Sequence, residues 1–221
     1  NASASELLVP NLFSLNNGIN KPTVTSELIR RKMNSLYGSL QLNWDGYLFL
    51  DITARNDWSS TMSKANRSYF YPSVSLSGVI SDMVPKLGGQ MPEWFTFAKV
   101  RASYAEVGND LDPYQLYNNF TVGKDENGNT TAAPGNVLYD SSVRSELIKS
   151  WEAGFDIRFF NNRLGLDAAW YKTNATRQLL NLPMDPFSGY SSRKVNAGNI
   201  QNEGVEISLN GLILDNPKGL S

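Results

Sequence analysis

The sequence predicts an all-β chain, an antiparallel sheet of about seven strands that forms part of a transmembrane β-barrel, with a soluble β-sandwich as the competing architecture. Three observations carry this expectation. A long hairpin turns at Asp45-Gly46, and both its arms alternate strictly. The alternation recurs down the chain, with one parity almost free of charge. The connections segregate, short at one end of the strands and long at the other, which is the asymmetry of membrane barrels and which a sandwich need not show.

The hairpin is the strongest element. On its first arm Leu36, Gly38, Leu40, Leu42 and Trp44 share one parity; Tyr37, Ser39, Gln41 and Asn43 share the other. On the second arm Leu48, Leu50, Ile52 and Ala54 alternate with Tyr47, Phe49, Asp51, Thr53 and Arg55. A period of two belongs to a strand whose faces meet different media. Asp-Gly favours a type I′ turn, which needs positive φ at both central residues. Each arm is long enough to cross a bilayer as a tilted strand, which takes about 9–11 residues.

Composition narrows the function. The 221-residue chain has a net charge of −1, which removes the electrostatic case for nucleic acid. It contains no cysteine and no histidine, so it has no thiolate metal site, no disulfide framework and no histidine-based triad. A carboxylate-based glycosidase needs two Asp or Glu facing each other across a cleft, and no pair stands out. No run of apolar residues is long enough for a membrane-spanning helix, which says nothing against a barrel.

The remaining elements follow in order. Residues 1–32 read as loop and strand lead-in, with 26–32 (SELIRRK) either a helix start behind a Ser cap or the upper end of the first strand; the strand is preferred. Strands are expected over 33–44, 47–58, 70–82, 96–108, 147–160, 164–178 and 203–214. The third presents Ser73, Ser75 and Ser77 on one face, a poor core that suits a hydrated surface. The fourth carries Lys99 and Arg101 side by side on one parity, which need water or acidic partners. Turns are expected at 45–46, 83–94, 161–163 and 215–219, and loops at 59–68, 108–145 and 181–199. An open sheet edge is untenable in lipid, so the strands read as a segment of a larger barrel.

Candidate chemistry is sparse. Asp125-x-Asn127-x-Asn129 opens like a calcium loop, but Thr130 stands where glycine is needed and Asn136 where an acid is needed. No metal, cofactor or catalytic residue is expected. Two strand ends on the long-loop side, 55–58 (RNDW) and 108–110 (GND), read either as hydrogen-bonded turns or as a polar rim that meets ligand or a plug. Asp51, Arg55, Lys99 and Arg101 are either channel charges or cross-strand ion pairs.

Several blocks carry a resemblance. Residues 55–61 (RNDWSST), 68–77 (SYFYPSVSLS), 99–110 (KVRASYAEVGND), 159–167 (FFNNRLGLD), 188–190 (SGY) and 196–206 (NAGNIQNEGVE) resemble, in order, SusC/RagA-type TonB-dependent outer-membrane transporters of Bacteroidetes. The likeness runs from about residue 7 to the end of the chain. It implies a plugged barrel of about 22 strands. It also implies import of bulky nutrients, oligosaccharides or peptides, driven through a TonB complex and covered by a SusD-like surface lipoprotein, with outer-membrane lipid around the wall. The plug and the TonB-contacting segment are expected outside this stretch. By the same likeness the long loops are extracellular and 215–221 is a periplasmic turn. Asp51, Arg55, Lys99, Arg101, Asp156 and Glu206 then face lumen or plug. Asp57, Trp58, Asn109, Asp110 and Tyr190 are the extracellular rim candidates. Leu40, Leu50, Ile52, Val100, Phe155 and Ile207 face lipid.

Overall fold

The computed structural model describes residues 2–4, 6–24 and 26–212. It divides into two units, Asn1–Arg31 and Lys32–Ser221. The turn expected over 215–221 lies outside the described residues.

The first unit is a loop pinned by few contacts. Ala2–Ser3 pairs antiparallel with Thr23–Val24, and Leu7 bridges Gly18. Asn17 holds the turn between them: it is buried, donates to the carbonyls of Val9 and Leu12 at 2.8 and 2.7 Å, and accepts from the Val9 N–H. One amide side chain, at the end of the short 3-10 turn Leu15–Asn17, thus ties the backbone groups of this loop together.

The second unit is built on one sheet. Its long strands are β1 (Met33–Trp44), β2 (Leu48–Ser59), β3 (Ser68–Val79), β4 (Phe95–Asn109), β5 (Glu146–Phe159), β6 (Leu164–Pro183) and β7 (Ser192–Gly211). Each pairs antiparallel with the next in sequence. The short strand Val137–Leu138 adds in parallel to the outer side of β7 at Ser192 and Arg193. Asp45 and Gly46 both have positive φ, 51° and 78°, as the type I′ turn requires. Phe160, Asn161 and Asn162 make the other tight turn, also with positive φ.

The register sorts the side chains. Leu40 pairs with Ile52, Ile52 with Val74, Leu76 with Ala102, Val100 with Phe155, Phe155 with Ala168, and Ala168 with Ile207. Directly opposed residues share a face, so this row is apolar across the whole sheet. Gln41, Asp51, Ser75 and Ser103 line the opposite face, with Lys99 beside Asp156 and Asp167 beside Ser208. No second sheet covers the apolar face among the described residues. Ile207 and Leu209 are each 70% exposed and Leu36 69%. A soluble sandwich would bury such rows, because contiguous apolar area of this extent seldom meets water. The sandwich alternative therefore fails.

Aromatic rings bound the apolar band at both ends. At the turn end Trp94 stacks on Phe159 with ring centroids 5.8 Å apart, and Phe95 meets Phe159 edge-on at 5.4 Å. Toward the loop end stand Trp170, Trp151 against Tyr104 at 4.3 Å, Phe70 and Trp58. These rings do not share one hydrogen-bonded row. Trp151 faces Lys172, two residues beyond Trp170, while Tyr104 faces Val74, whose partner Ile52 stops well short of Trp58. The belt climbs from β6 to β2, as a level girdle must when strands tilt by about 35–45°.

Three expectations change. Residues 26–32 form neither strand nor helix; β1 starts at Met33. The third strand does not reach residue 82, because Ile80–Lys86 is a short helix, α1. Asp82 in its first turn and Lys86 in its last suit the helix dipole, and Lys86 also pairs with Asp45 at 3.0 Å and lies over the Tyr47 ring. The seventh strand begins at Ser192, not 203, so the loop expected over 181–199 shrinks to the connection between Pro183 and Ser192. The asymmetry of connections then rests on one long loop, the segment between β4 and β5.

Candidate functional site

The charged face of the sheet and the loop-end rim hold every candidate residue. On the charged face Arg101 donates from both terminal nitrogens to Asp167, at 2.9 and 3.1 Å, and pairs more loosely with Glu152 at 3.5 Å. Its guanidinium crosses β5 to reach β6, and Gly154 lets it pass: a Cβ there would lie 3.1 Å from the guanidinium carbon and 2.8 Å from the Ala168 carbonyl oxygen. Asp156 pairs with Arg158 at 2.8 Å. These pairs are partly exposed and screened by solvent, so each contributes about 0–1 kcal/mol. Asp51, Lys99 and Glu206 have no side-chain hydrogen bond or ion pair among the described residues. Near the turn end a cavity of about 480 Å³ opens on this face, lined by Asp156, Arg158, Asp167 and Asn210 among others.

The rim is knitted rather than free. Arg55 binds Asp57 at 2.7 Å and the Ser35 hydroxyl at 3.2 Å. Asp57 is buried. Asp110 is also buried, and its carboxylate accepts hydrogen bonds from the hydroxyls of Ser59 and Thr61, the latter at 2.8 Å. Ser59 and Thr61 are themselves buried and 2.8 Å apart. Beneath them Met62, Leu111 and Val143 form a small apolar core. The blocks 55–61 and 108–110, separate in sequence, thus close into one polar clasp over β3. Asn109 accepts from the Asp110 N–H and donates weakly to Glu146. Trp58 is 37% exposed and lines a cavity of about 600 Å³ with Asn34 and Lys32. Tyr190 stands apart in the β6–β7 connection, where Ser188 bonds its backbone on both sides. Sequence reasoning missed Ser59 and Thr61, although a run of hydroxyls directly after a strand end was the available signal.

The long loop crosses to β7 and is strapped there. Arg193 donates to Asp140 at 2.6 Å, and the Asn196 side chain bonds both the N–H and the C=O of Arg144. The hydroxyl and N–H of Ser142, with Arg193, hold the Asp140 carboxyl down to about 2. An aspartate in the unfolded chain titrates near 4, so the strap's contribution is complete above about pH 4 and is lost only as pH falls through the folded value. Amide exchange at Ser142 and Arg193 is therefore expected to stay unchanged between about pH 7 and about pH 5 once corrected for intrinsic rates. Loosening within that window would contradict the assignment.

A single twisted sheet, apolar through the middle of one side, ionic on the other and ringed by aromatics at both ends, defines the wall of a membrane β-barrel. The chain belongs to the TonB-dependent receptor-like β-barrel family, whose model matches residues 8–216. It is 30% identical over 195 residues to TonB-dependent receptor P3 of Formosa agariphila, covering 84% of this chain and 19% of that protein. It is 25% identical over 205 residues to TonB-dependent receptor SusC of Bacteroides thetaiotaomicron, again 84% and 19%. The RagAB peptide importer in its closed-closed state superposes with a TM-score of 0.80 at 24% identity, covering 95% of this chain and 23% of that one. This is a non-enzymatic family of the outer membrane, and the chain is of its SusC/RagA kind. It spans about a fifth of the length of the relatives it matches.

Proposed function

We propose that this chain is barrel wall in an importer of bulky nutrients, oligosaccharides or peptides, which is energised through a TonB complex and covered by a SusD-like surface lipoprotein. The division of seven consecutive strands into a face that is apolar through its middle rows and an ionic, serine-rich face supports this reading most directly. Lipid bathes the row through Leu40, Leu50, Ile52, Val100, Phe155 and Ile207. Asp51, Arg55, Lys99, Arg101, Asp156 and Glu206 turn toward lumen or plug, where Asp51, Lys99 and Glu206 are free to meet partners outside this stretch. The clasp and the strapped loop are the extracellular end, residues 1–32 are extracellular loop and strand lead-in, and the tight turns are periplasmic. Asp57, Trp58, Asn109, Asp110 and Tyr190 belong to the rim that supports lid and cargo loops.

The test is isolation of the full-length receptor in mild detergent, followed by mass spectrometry of what accompanies it. A SusD-like lipoprotein, with an oligosaccharide or peptide in the cavity, is the expected result. A receptor recovered alone and loaded with an iron chelate would contradict the proposal.

A further inference from the structure

We propose that the cavity beside Trp58 binds the phosphate-bearing headgroup of an outer-leaflet lipid. The cavity, of about 600 Å³, is lined by Lys32, Lys64 and Arg67 together with Asn34, Trp58 and Tyr117, and its lining contains no carboxylate. None of the three cations forms an ion pair or side-chain hydrogen bond among the described residues. Elsewhere along the loop end of the apolar face the cations are neutralised: Lys149 pairs with Glu106 at 3.3 Å and Lys172 with Glu203 at 3.6 Å. The three beside Trp58 therefore leave a local positive charge with no ion-pair partner among the described residues.

Register fixes where that charge sits. Asn34 pairs with Trp58, and both share the parity of Leu36, Leu40 and Ile52. Lys32 extends the same row, its carbonyl accepting from the Ser60 N–H at 2.9 Å. The cavity lies at the loop end of the sheet, where Asn34, Trp58 and Lys32 belong to the apolar parity and Ser59 and Met62 form its inner wall, just beyond the aromatic belt, where Trp and Tyr mark the headgroup layer. Clustered cations at that depth attract anionic headgroups, and a phosphate offers several acceptor oxygens to Lys and Arg donors. The acyl chains would lie along the apolar row through Leu36 and Ile52. The inference rests on that row facing lipid.

The experiment uses the full-length receptor in nanodiscs of phosphatidylethanolamine doped with a phosphorylated lipid A, and reads retained lipid A by native mass spectrometry. Replacing Lys32, Lys64 and Arg67 together by alanine is expected to lower lipid A affinity by about fivefold per cation, roughly a hundredfold in all. Lys86→Ala, at the turn end, should leave it unchanged. Dephosphorylated lipid A should bind wild type and triple variant equally weakly. Unchanged retention in a folded triple variant overturns the proposal, and so does displacement of the lipid by millimolar inorganic phosphate or a soluble sulfated oligosaccharide. A nitroxide on Leu50→Cys separates the two layers of the argument. If it contacts water rather than lipid, the membrane-face reading fails; if it contacts lipid while retention is unchanged, only the headgroup site fails. Should the triple variant not fold, Lys64→Glu alone, in the loop after β2, carries the same expectation at smaller amplitude.

Discussion

Ile52→Lys is expected to destabilise insertion of the intact receptor by about 2–4 kcal/mol. Ile52 sits in the middle of β2, flanked by Leu40 on one side and Val74 on the other, with Leu50 two residues along. A lysine there has no carboxylate on its own face within reach: the nearest opposed residues are all aliphatic. Its ammonium must climb to the headgroups or drag water into the hydrocarbon. The control lies one strand over. Ser75 occupies the opposite face and is opposed by Asp51, whose side chain has no hydrogen bond or ion pair among the described residues. Ser75→Lys should therefore be neutral or slightly stabilising, because the new cation meets a carboxylate. The readout is the urea midpoint of receptor folded into lipid vesicles. Equal midpoints for the two variants would contradict the assignment of faces.

The second large effect is expected at the clasp. Asp110→Ala removes the acceptor shared by two buried hydroxyls, Ser59 and Thr61. Water does not readily replace it, since all three residues are below a tenth exposed. Orphaning buried donors costs about 1–3 kcal/mol, at the upper end where the lost acceptor is charged. The damage should be local. Met62, Leu111 and Val143 lie directly under the clasp, and Asn66 ties the neighbouring loop to the carbonyls of Ser142 and Val143. The segment between β4 and β5 should therefore become protease-sensitive while the wall stays folded. Both hydroxyls donate to one carboxylate oxygen, so Asp110→Asn, which keeps an uncharged oxygen there, should lose less. An Asp110→Ala receptor whose loop resists protease like wild type would show that the clasp contributes nothing.

How much of this was legible in the sequence depends on the medium around each residue. A barrel strand has one face toward hydrocarbon and one toward water, and it is by such a parity that Leu40, Ile52, Val100 and Phe155 stand out in the sequence. The faces later defined by register, including all six ionic candidates on one side, follow from that alternation. Beyond the bilayer both faces meet water and the alternation disappears. Thr173, Asn174, Gln201 and Asn202 are polar on either parity, yet the backbone ladder between β6 and β7 continues through them. That is why the last strand begins earlier than its hydrophobic pattern indicates. The helix after β3 was hidden for another reason: Pro85 and Gly88-Gly89 signal a turn, and they do end the segment, but the seven residues of α1 fit before the chain reverses. The clasp joins residues 51 positions apart, and no local pattern encodes a contact at that separation. Asp57 and Asp110, which sequence alone presents either as hydrogen-bonded turn residues or as rim groups, are buried in it.

The central claim, that hydrocarbon meets one parity of these strands and water the other, is tested most directly by a nitroxide scan along β4 and β5 in the reconstituted full-length receptor. Labels placed singly from Lys99 to Tyr104 and from Ala153 to Ile157 would be read for collision with oxygen and with a water-soluble nickel chelate. The account predicts oxygen access at Val100, Ala102, Phe155 and Ile157, nickel access or plug contact at Lys99, Arg101, Gly154 and Asp156, and a reversal at every step. A scan without alternation, or with nickel access on the aliphatic parity, would contradict it.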